Sequence, residues 1–323
     1  MREVLNGCTL RAVTSVLPAT QRALTDFIPV CGKDYVERFQ TIVGVETLHL
    51  ATPEQKASDF ALAAAQKLFR ERPEIDPKSI DALLFLSQTP DGLAPITASR
   101  LQAALDLPVT TLTLDINQGC TGFVAGLLLA ANLLQNPAFR NVLIVGGDTL
   151  SHHLAESDPN TAMLFSDGGF AAIIGKGEDA PWIFETLNEP STAITLPYGG
   201  SLQMMSSDVF NFTLMRVAEQ LQALPKPDLY LLGQTNAFVL RQLARACGCD
   251  EQQMPCRIAH RGNTSGASLP TLLCDLAAEG LTGSPTVTLA AFGVGLTAMA
   301  VHLTLHTNAI CPLGHLSPTG DLV

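Results

Sequence analysis

The chain contains two halves whose sequence features repeat in the same order. A strand-like run that ends in Gln88-Thr89 has a counterpart that ends in Gln234-Thr235. Two helix-like apolar runs follow, one opened by Gly119-Cys120-Thr121-Gly122 and the other by Gly262-Asn263-Thr264-Ser265-Gly266. A third pair of strand-like runs, which ends in Gly147 and Gly293, completes the series. The repeated order predicts an internal duplication, in which pseudo-twofold packing brings Cys120 and Asn263 towards one site.

Strand-like and helix-like runs alternate along the chain, which indicates an α/β fold. The strands are expected at Ala82–Ser87, Thr111–Asn117, Asn141–Gly146, Phe170–Gly175, Asp228–Gly233, Thr286–Ala291 and Thr297–Thr304. The helices are expected at Gln55–Arg70, Ile96–Leu105, Thr121–Leu134, Val209–Leu224, Asn236–Cys247 and Ser265–Glu279. The polar, glycine-punctuated stretch Gly175–Asp179 predicts a boundary between an N-terminal half, 1–177, and a C-terminal half, 178–323.

Cys120 joins a predicted buried strand to a predicted helix through a very short turn. The unpaired N–H groups and the dipole at a helix N-terminus stabilise a thiolate, so we expect a lowered pKa for Cys120. This environment is typical of a nucleophile in covalent acyl transfer. The remaining cysteines are expected to be packing residues: Cys8, Cys31, Cys247, Cys249, Cys256, Cys274 and Cys311.

Composition excludes several classes of function. The net charge of −11 and the lack of a basic run argue against a nucleic-acid partner. No apolar stretch reaches the roughly 18 residues of a membrane span, and no signal peptide is evident, so we expect a cytoplasmic protein with reduced thiols. Cys247, Cys249 and Cys256 lack the paired spacing of a zinc site. No metal and no cofactor is expected.

The motifs resemble those of the 3-oxoacyl-[acyl-carrier-protein] synthase III family of the thiolase superfamily, over nearly the whole chain. The resemblance implies a duplicated, five-layer αβαβα architecture, a homodimer, and a role in fatty acid or secondary-metabolite biosynthesis. The matching segments are Gly44-Val45, Pro95–Leu105, Asp115–Gly122, Gly146–Asp148, Phe165–Gly169, Gln234–Asn236, Gly262–Pro270 and Phe292–Gly295.

The resemblance also implies the catalytic residues. Cys120 matches the nucleophile, which takes an acyl group from a thioester. The backbone N–H groups of Cys120 and of Val294 match the oxyanion hole. Asn263 matches the asparagine that, together with a histidine, holds the carbonyl oxygen of a malonyl thioester during decarboxylation.

Two positions depart from the family pattern. The family has His-Gln-Ala-Asn where this chain has Gly233-Gln234-Thr235-Asn236, so the histidine is replaced by Gly233. Val294 occupies a position where the family prefers glycine, and valine does not readily adopt a positive φ. His260 and the pair His152-His153 are the candidates to replace the missing imidazole.

Residues that match the family's thioester channel are Arg38, Ile42, His152 and Phe238. Since several of the family's cations are absent here, acyl carrier protein is a better donor than coenzyme A. Arg241 and Arg245 lie one turn apart on a predicted helix and form either a docking face for an acidic carrier protein or an ordinary solvated face. Ala94 replaces a bulkier residue that closes the partner's acyl pocket, which favours a longer or branched acyl group.

The sequence leaves three functions open. The first is decarboxylative condensation with a malonyl thioester. The second is transfer of the acyl group to an alcohol or an amine, as in divergent secondary-metabolite or polysaccharide pathways. The third is a non-catalytic partner subunit of an active homologue.

Overall fold

A computed structural model describes residues 1–155 and 157–323. Its strands are β1 (Arg2–Leu5), β2 (Cys8–Pro18), β3 (Gln21–Ala23), β4 (Thr47–His49), β5 (Ala82–Leu86), β6 (Leu112–Ile116), β7 (Asn141–Asp148), β8 (Gly168–Lys176), β9 (Trp182–Asn188), β10 (Ile194–Thr195), β11 (Gln203–Met204), β12 (Leu229–Leu232), β13 (Thr286–Gly293), β14 (Thr297–Thr304) and β15 (Gly314–Leu316).

Its helices are α1 (Ile28–Cys31), α2 (Lys33–Val43), α3 (Ala57–Glu71), α4 (Thr97–Ala104), α5 (Gly122–Leu134), α6 (Pro159–Ala162), α7 (Ser206–Phe212), α8 (Ala218–Ala223), α9 (Ala237–Cys247) and α10 (Ser268–Ala278). A π-helical turn, Thr213–Val217, joins α7 to α8.

Two large sheets carry the duplication. The first has the strand order β15-β2-β8-β7-β5-β6, and the second has the order β1-β9-β14-β13-β12. In the first sheet β2, β8 and β7 pair antiparallel and β7 pairs parallel with β5. In the second sheet β9, β14 and β13 repeat the antiparallel pairings and β13 repeats the parallel one with β12. This equivalence confirms the duplication that the sequence predicts.

The two chain termini are exchanged between the sheets. The N-terminal strand β1 pairs with β9 in the second sheet, although β2, the next strand in sequence, belongs to the first sheet. The C-terminal strand β15 pairs in parallel with β2 in the first sheet. Both ends of the chain therefore tie the two halves together.

The core is divided into three hydrophobic clusters, which separate five layers. The central cluster fills the space between the sheets around α5 and α10, with Phe123 and Leu273 fully buried. The outer clusters pack α3 and α4 on the first sheet, and α8 and α9 on the second. Because α5 is enclosed between two sheets, it is apolar on nearly all sides, as such a helix must be. The architecture is the expected five-layer, thiolase-like α/β fold.

The predicted strands and helices are present, and two of them differ from expectation. The strand before Cys120 is not buried: β6 is the last strand of its sheet and pairs only with β5 among the described residues, leaving Leu112 38% and Leu114 44% exposed. The single helix predicted at Val209–Leu224 is instead α7, a π turn and α8, because the backbone shifts by one residue at Thr213–Val217.

No helix in the described part of the chain combines the length and apolar character needed to cross a bilayer.

Candidate active site

Cys120 lies in the turn between β6 and α5, two residues before the helix begins. The turn is tight, since the Gly122 N–H donates to the Gly119 carbonyl at 2.7 Å. A β-carbon at residue 119 would displace the terminal amide of the Gln88 side chain. The segment therefore fixes the sulfur at the N-terminal end of α5, as the sequence predicts.

The immediate environment of the Cys120 sulfur is formed by the second half of the duplication. The Ser265 hydroxyl donates to Sγ at 3.8 Å. Gly293 approaches so closely that a β-carbon on it would lie 2.9 Å from Sγ. The backbone amides of Cys120 and Val294 also act on the sulfur and lower its pKa. An oxyanion that forms on a carbonyl bound at Sγ would find the same amides beside it.

The pKa of Cys120 is opposite to the expectation. Burial raises the pKa of the thiol to about 11, and the hydrogen bond from Ser265 and the two amides only partly offset this effect. The desolvation of a thiolate in an apolar cavity outweighs the stabilisation available at the helix N-terminus. The prediction of a lowered pKa is therefore wrong, and the resting side chain is a neutral thiol.

Val294 does not adopt an unusual backbone conformation. The non-glycine residues with a positive φ in the described chain are Asp106 and Ser265, while Gly295 takes the unusual φ of +139° in the turn between β13 and β14. Valine at 294 thus presents its amide without strain, and the departure from glycine removes no hydrogen-bond donor.

Asn263 is held on both sides by the chain of the first half. Its N–H donates to the Leu164 carbonyl and its own carbonyl accepts from the Ser166 N–H, both at 2.9 Å. Its Oδ1 accepts from the Ser265 N–H at 2.9 Å. Because a backbone N–H can only donate, this contact fixes the amide orientation and leaves Nδ2 as a donor with no partner among the described residues.

Three polar residues that sequence reasoning did not assign complete this arrangement. Gln88 Nε2 donates to Ser265 Oγ at 2.8 Å, and the Gln88 N–H donates to the buried Asp148 carboxylate at 2.9 Å. Ser265 has a φ of +51°, a conformation that non-glycine residues hold only when their surroundings impose it. Gln88 and Ser265 lie in the repeated motifs, which is the signal that could have identified them.

Cys120 and Asn263 line one apolar cavity of about 360 Å³, here called the inner cavity. A second cavity of about 310 Å³, here called the outer cavity, adjoins it and shares the lining residues Ile42, Leu164, Met204, Ser206 and Asn236. The described residues that line the inner cavity are uncharged, apart from the ionisable Cys120 thiol, and Arg38 is the one charged residue among those that line the outer cavity.

Part of the predicted channel coincides with these cavities. Arg38 and Ile42 line the outer cavity, and Phe238 lines the inner one, where it stacks on Phe210 at a centroid distance of 6.0 Å. His152 does not belong to the lining, because its Nε2 donates to the Thr52 carbonyl at 3.0 Å. Ala94 is exposed in the loop after β5, away from both cavities of its own chain.

The candidate replacement histidines lie outside the inner cavity. His152 is engaged with Thr52. The partly buried ring of His153 is held by the backbone of Gly200, and burial lowers its pKa. The His260 side chain is 71% exposed, with Nδ1 3.7 Å from a Glu46 carboxylate oxygen. None of the three contributes an imidazole to the described lining.

Gly233 directly follows β12 and has open space beside its α-carbon. A β-carbon built on it would meet nothing nearer than 3.9 Å, and the neighbouring atoms belong to Ala290 and Ala291. The structure therefore does not require glycine here for packing.

Arg241 and Arg245 are both exposed on α9, at spacings of three and seven residues from Phe238. These spacings place all three side chains on one face of the helix, which begins at the cavity. Neither arginine forms an ion pair with another residue of the described chain.

Comparisons with known proteins agree with this geometry. Models of 3-oxoacyl-[acyl-carrier-protein] synthase III and of its C-terminal domain match residues 114–188 and 225–305. The chain is 32% identical to the beta-ketoacyl-[acyl-carrier-protein] synthase III of Streptococcus pneumoniae serotype 19F (strain G54) over 289 residues, which cover 81% of this chain and 88% of the relative.

Solved structures give the same result. A 3-oxoacyl-(acyl-carrier protein) synthase from Burkholderia xenovorans LB400 has a TM-score of 0.92 at 29% identity, covering 98% of this chain and 99% of that one. The synthase III from Aquifex aeolicus VF5 has a TM-score of 0.85 at 25% identity, covering 93% and 100%. With the cysteine, the asparagine and the duplicated fold in place, the chain belongs to the 3-oxoacyl-[acyl-carrier-protein] synthase III family of acyltransferases.

Proposed function

We propose that Cys120 accepts an acyl group from an acyl thioester and passes it to a second substrate held beside Asn263. The observation that carries this proposal is the inner cavity, whose apolar lining includes both Cys120 and Asn263. The Val294 amide acts on the Cys120 sulfur at the same place. Residues 1–177 would supply the nucleophile, and residues 178–323 the asparagine and the oxyanion loop.

In the loading step, the Cys120 sulfur attacks the thioester carbonyl carbon and the donor's C–S bond breaks. The amides of Cys120 and Val294 stabilise the oxyanion of the tetrahedral intermediate. Because burial raises the pKa of Cys120 to about 11, the sulfur starts as a thiol, and its proton leaves with the donor's thiolate. This exchange needs no imidazole.

Acyl carrier protein is the donor that the surface favours over coenzyme A. Arg38 is the one charged residue in the described lining of the outer cavity, which offers little for a nucleotide's phosphates. Arg241 and Arg245 extend along α9 from the cavity mouth and suit an acidic carrier domain.

Two acceptors remain to be separated by experiment. Decarboxylative condensation with a malonyl thioester is the activity of the family, and Asn263 supports it. Transfer to an alcohol or an amine is favoured by Gly233, which supplies no imidazole to assist decarboxylation. The assembled Cys120 and Asn263 speak against a purely non-catalytic subunit.

A homodimer is supported by β6. Its outer edge has no partner strand among the described residues, and Leu112 and Leu114 present an apolar face to solvent. Pairing of β6 with its own copy about a twofold axis would be antiparallel and would cover this edge. Ala94, in the loop between β5 and α4, would then border the acyl site of the partner.

The test measures acylation directly. The protein is incubated with acyl thioesters on carrier protein and on coenzyme A, and its intact mass is compared with that of Cys120→Ala. An acyl adduct is expected on the parent protein and not on Cys120→Ala. The absence of any adduct would contradict the enzymatic proposal and favour the partner-subunit alternative.

Condensation is then separated from simple transfer. Malonyl carrier protein is added to the acylated protein and carbon dioxide is measured. Gly233→His, whose β-carbon would meet no atom nearer than 3.9 Å, is expected to raise decarboxylation by about two to four orders of magnitude if the missing imidazole limits condensation. An unchanged rate would show that this position is not limiting.

A further inference from the structure

The side chain of Gln88 connects the first half of the molecule to the surroundings of the Cys120 sulfur. Gln88 follows β5, and its Nε2 donates to Ser265 Oγ at 2.8 Å, in the turn that precedes α10. The Ser265 hydroxyl in turn donates to Cys120 Sγ at 3.8 Å. The three side chains therefore form one chain of hydrogen bonds that ends on the sulfur.

The Gln88 amide determines how the Ser265 hydroxyl acts. A hydroxyl has one proton to donate and two lone pairs that accept. When Nε2 donates to Oγ, it occupies a lone pair and leaves the hydroxyl proton available for an acceptor. Consecutive hydrogen bonds also polarise one another, so the first bond strengthens the second. Gln88 thus favours Ser265 as a donor to the sulfur.

Both partners of the Gln88–Ser265 hydrogen bond are held in place by further contacts. The Gln88 N–H donates to the Asp148 carboxylate at 2.9 Å. Its terminal amide occupies the space that a β-carbon at residue 119 would need. The Ser265 N–H donates to Asn263 Oδ1 at 2.9 Å. The hydrogen bond between the two side chains is therefore formed by groups whose backbones are already fixed.

Asp148 is the charged group beside this chain of hydrogen bonds. Its Oδ1 accepts from three other groups: the Ser87 and Thr89 hydroxyls and the Gln88 N–H. The Ser265 hydroxyl also acts on this carboxylate and lowers its pKa. For the sulfur, by contrast, Ser265 is the one side chain in the described structure that forms a hydrogen bond. The hydroxyl proton therefore matters more to Cys120 than to Asp148.

We propose that Gln88 is a positioning residue, which holds the Ser265 hydroxyl as a donor to Cys120 and so stabilises negative charge on the sulfur. The inference rests on the proposed acyl transfer. It adds the groups with which this chain, where Gly233 supplies no imidazole, stabilises a thiolate.

The stabilised charge forms in both steps of the reaction. In loading, the sulfur attacks the thioester carbonyl carbon and its proton leaves with the donor's thiolate. In transfer, the C–S bond to Cys120 breaks while the acceptor bonds to the acyl carbon, and the electron pair stays on the sulfur. The sulfur then takes a proton from an alcohol or amine acceptor or, after a condensation, from solvent. Ser265 keeps its proton throughout.

The test is a double-mutant cycle that measures the pH dependence of Cys120 alkylation by iodoacetamide. Gln88→Met removes the donor and keeps the length of the side chain. We expect its alkylation rate in the neutral range to fall about 3- to 10-fold, because the thiolate loses part of a hydrogen bond. Ser265→Gly should slow alkylation further. Gln88→Met should add nothing in the Ser265→Gly protein, since its effect passes through the hydroxyl.

Two further variants complete the cycle. Gln88→Leu, which also lacks the donor, should behave as Gln88→Met does and covers the case in which methionine is not accommodated. Gln102→Met is the matched control, because its Nε2 donates to the Pro108 carbonyl at 2.7 Å, away from the site, and it should alkylate at the parent rate. Circular dichroism checks that each variant is folded.

The sign of the change decides between arrangements of the hydrogen bonds. If Gln88 accepted from Ser265 through Oε1, its removal would release the hydroxyl towards the sulfur, and alkylation would become faster. If the hydroxyl served Asp148 alone, Gln88→Met would alkylate at the parent rate. Either result would overturn the inference, as would a Gln88→Met effect that persists in the Ser265→Gly protein.

Loading from an acyl-pantetheine, followed by intact mass, gives the second readout. Its rate should fall in Gln88→Met and fall further in Ser265→Gly. Absence of an adduct on the parent protein would refute the proposed function. The alkylation cycle does not depend on loading, so it tests the role of Gln88 in either case.

Discussion

Cys120 combines the position of a nucleophile with surroundings that keep its sulfur protonated. The helix N-terminus, the amides and Ser265 all favour the thiolate, but burial favours the thiol more strongly and raises the pKa to about 11. A neutral thiol resists adventitious alkylation and oxidation at neutral pH, because the thiolate is the reactive form. In the proposed loading step, the thiolate that leaves the donor takes up this proton.

The first prediction concerns this pKa. Alkylation of Cys120 by iodoacetamide should accelerate about tenfold per pH unit through the neutral range, because the thiolate fraction grows by that factor below the pKa. Ser265→Gly removes the hydroxyl that lowers the pKa and tolerates the φ of +51°, so its rate profile should move to higher pH.

The rate is followed on the peptide that contains Cys120, with Cys120→Ala to identify the product among the other cysteines. A plateau of the parent rate below about pH 9 would contradict the raised pKa. An unmoved profile in Ser265→Gly would contradict the role of the hydroxyl.

At the scale of elements, α9 connects the cavity to the surface. Asn236 begins the helix, with its Oδ1 accepting from the Phe238 N–H at 2.8 Å, and Phe238 lies at the cavity. Arg241 and Arg245 continue the same face away from it. A carrier protein docked on this face would direct its pantetheine arm past Phe238 towards Cys120.

The second prediction tests that face. Arg241→Glu and Arg245→Glu should each raise the KM for an acyl carrier protein about fivefold, since an exposed charge pair contributes up to roughly 1 kcal/mol. Loading from an acyl-pantetheine without the carrier protein should not change. Arg70→Glu, an exposed arginine on α3, carries the same charge change and should match the parent protein.

Steady-state loading at two salt concentrations provides the measurement, because screening weakens attraction between exposed charges. Equal KM increases for the carrier protein and for the free pantetheine thioester would show that the arginines do not form a docking face.

The boundaries of these elements were largely predictable, because hydrophobic periodicity and the glycine and polar residues at the ends of elements are local features of the sequence. The predicted helix Asn236–Cys247 is α9 to within a residue, and the strand Thr297–Thr304 is β14. The exposure of β6 was not predictable, because an apolar run looks the same in a central strand and in an edge strand. The π-helical turn at Thr213–Val217 was not predictable either, because the pattern of apolar residues does not mark it.

On the scale of the whole molecule, two equivalent halves enclose the site between their central helices. The first sheet ends in β6, with Leu112 and Leu114 exposed, whereas the second sheet ends in β12. An apolar edge strand with unpaired backbone groups favours association with another strand. This exposed edge is the surface that the proposed homodimer would cover.

The third prediction addresses this surface. The parent protein should have twice the mass of one chain in sedimentation equilibrium, and Leu112→Lys/Leu114→Lys should shift it towards the single-chain mass, because charges on the edge disfavour strand pairing. Val30→Lys, at a 61% exposed apolar residue on α1, is the control and should remain a dimer.

Circular dichroism distinguishes dissociation from unfolding. A folded double variant that keeps the parent mass would contradict a β6 interface, and a single-chain mass for the parent protein would contradict the dimer itself.

The sequence by itself determined the duplication, the order of the elements and the pairing of Cys120 with Asn263, because these follow from local periodicity and from motifs repeated along the chain. Only the tertiary structure decided the protonation of Cys120 and the position of His152, His153 and His260 outside the inner cavity. These properties depend on desolvation and on atoms that distant segments bring together, and no local pattern encodes them.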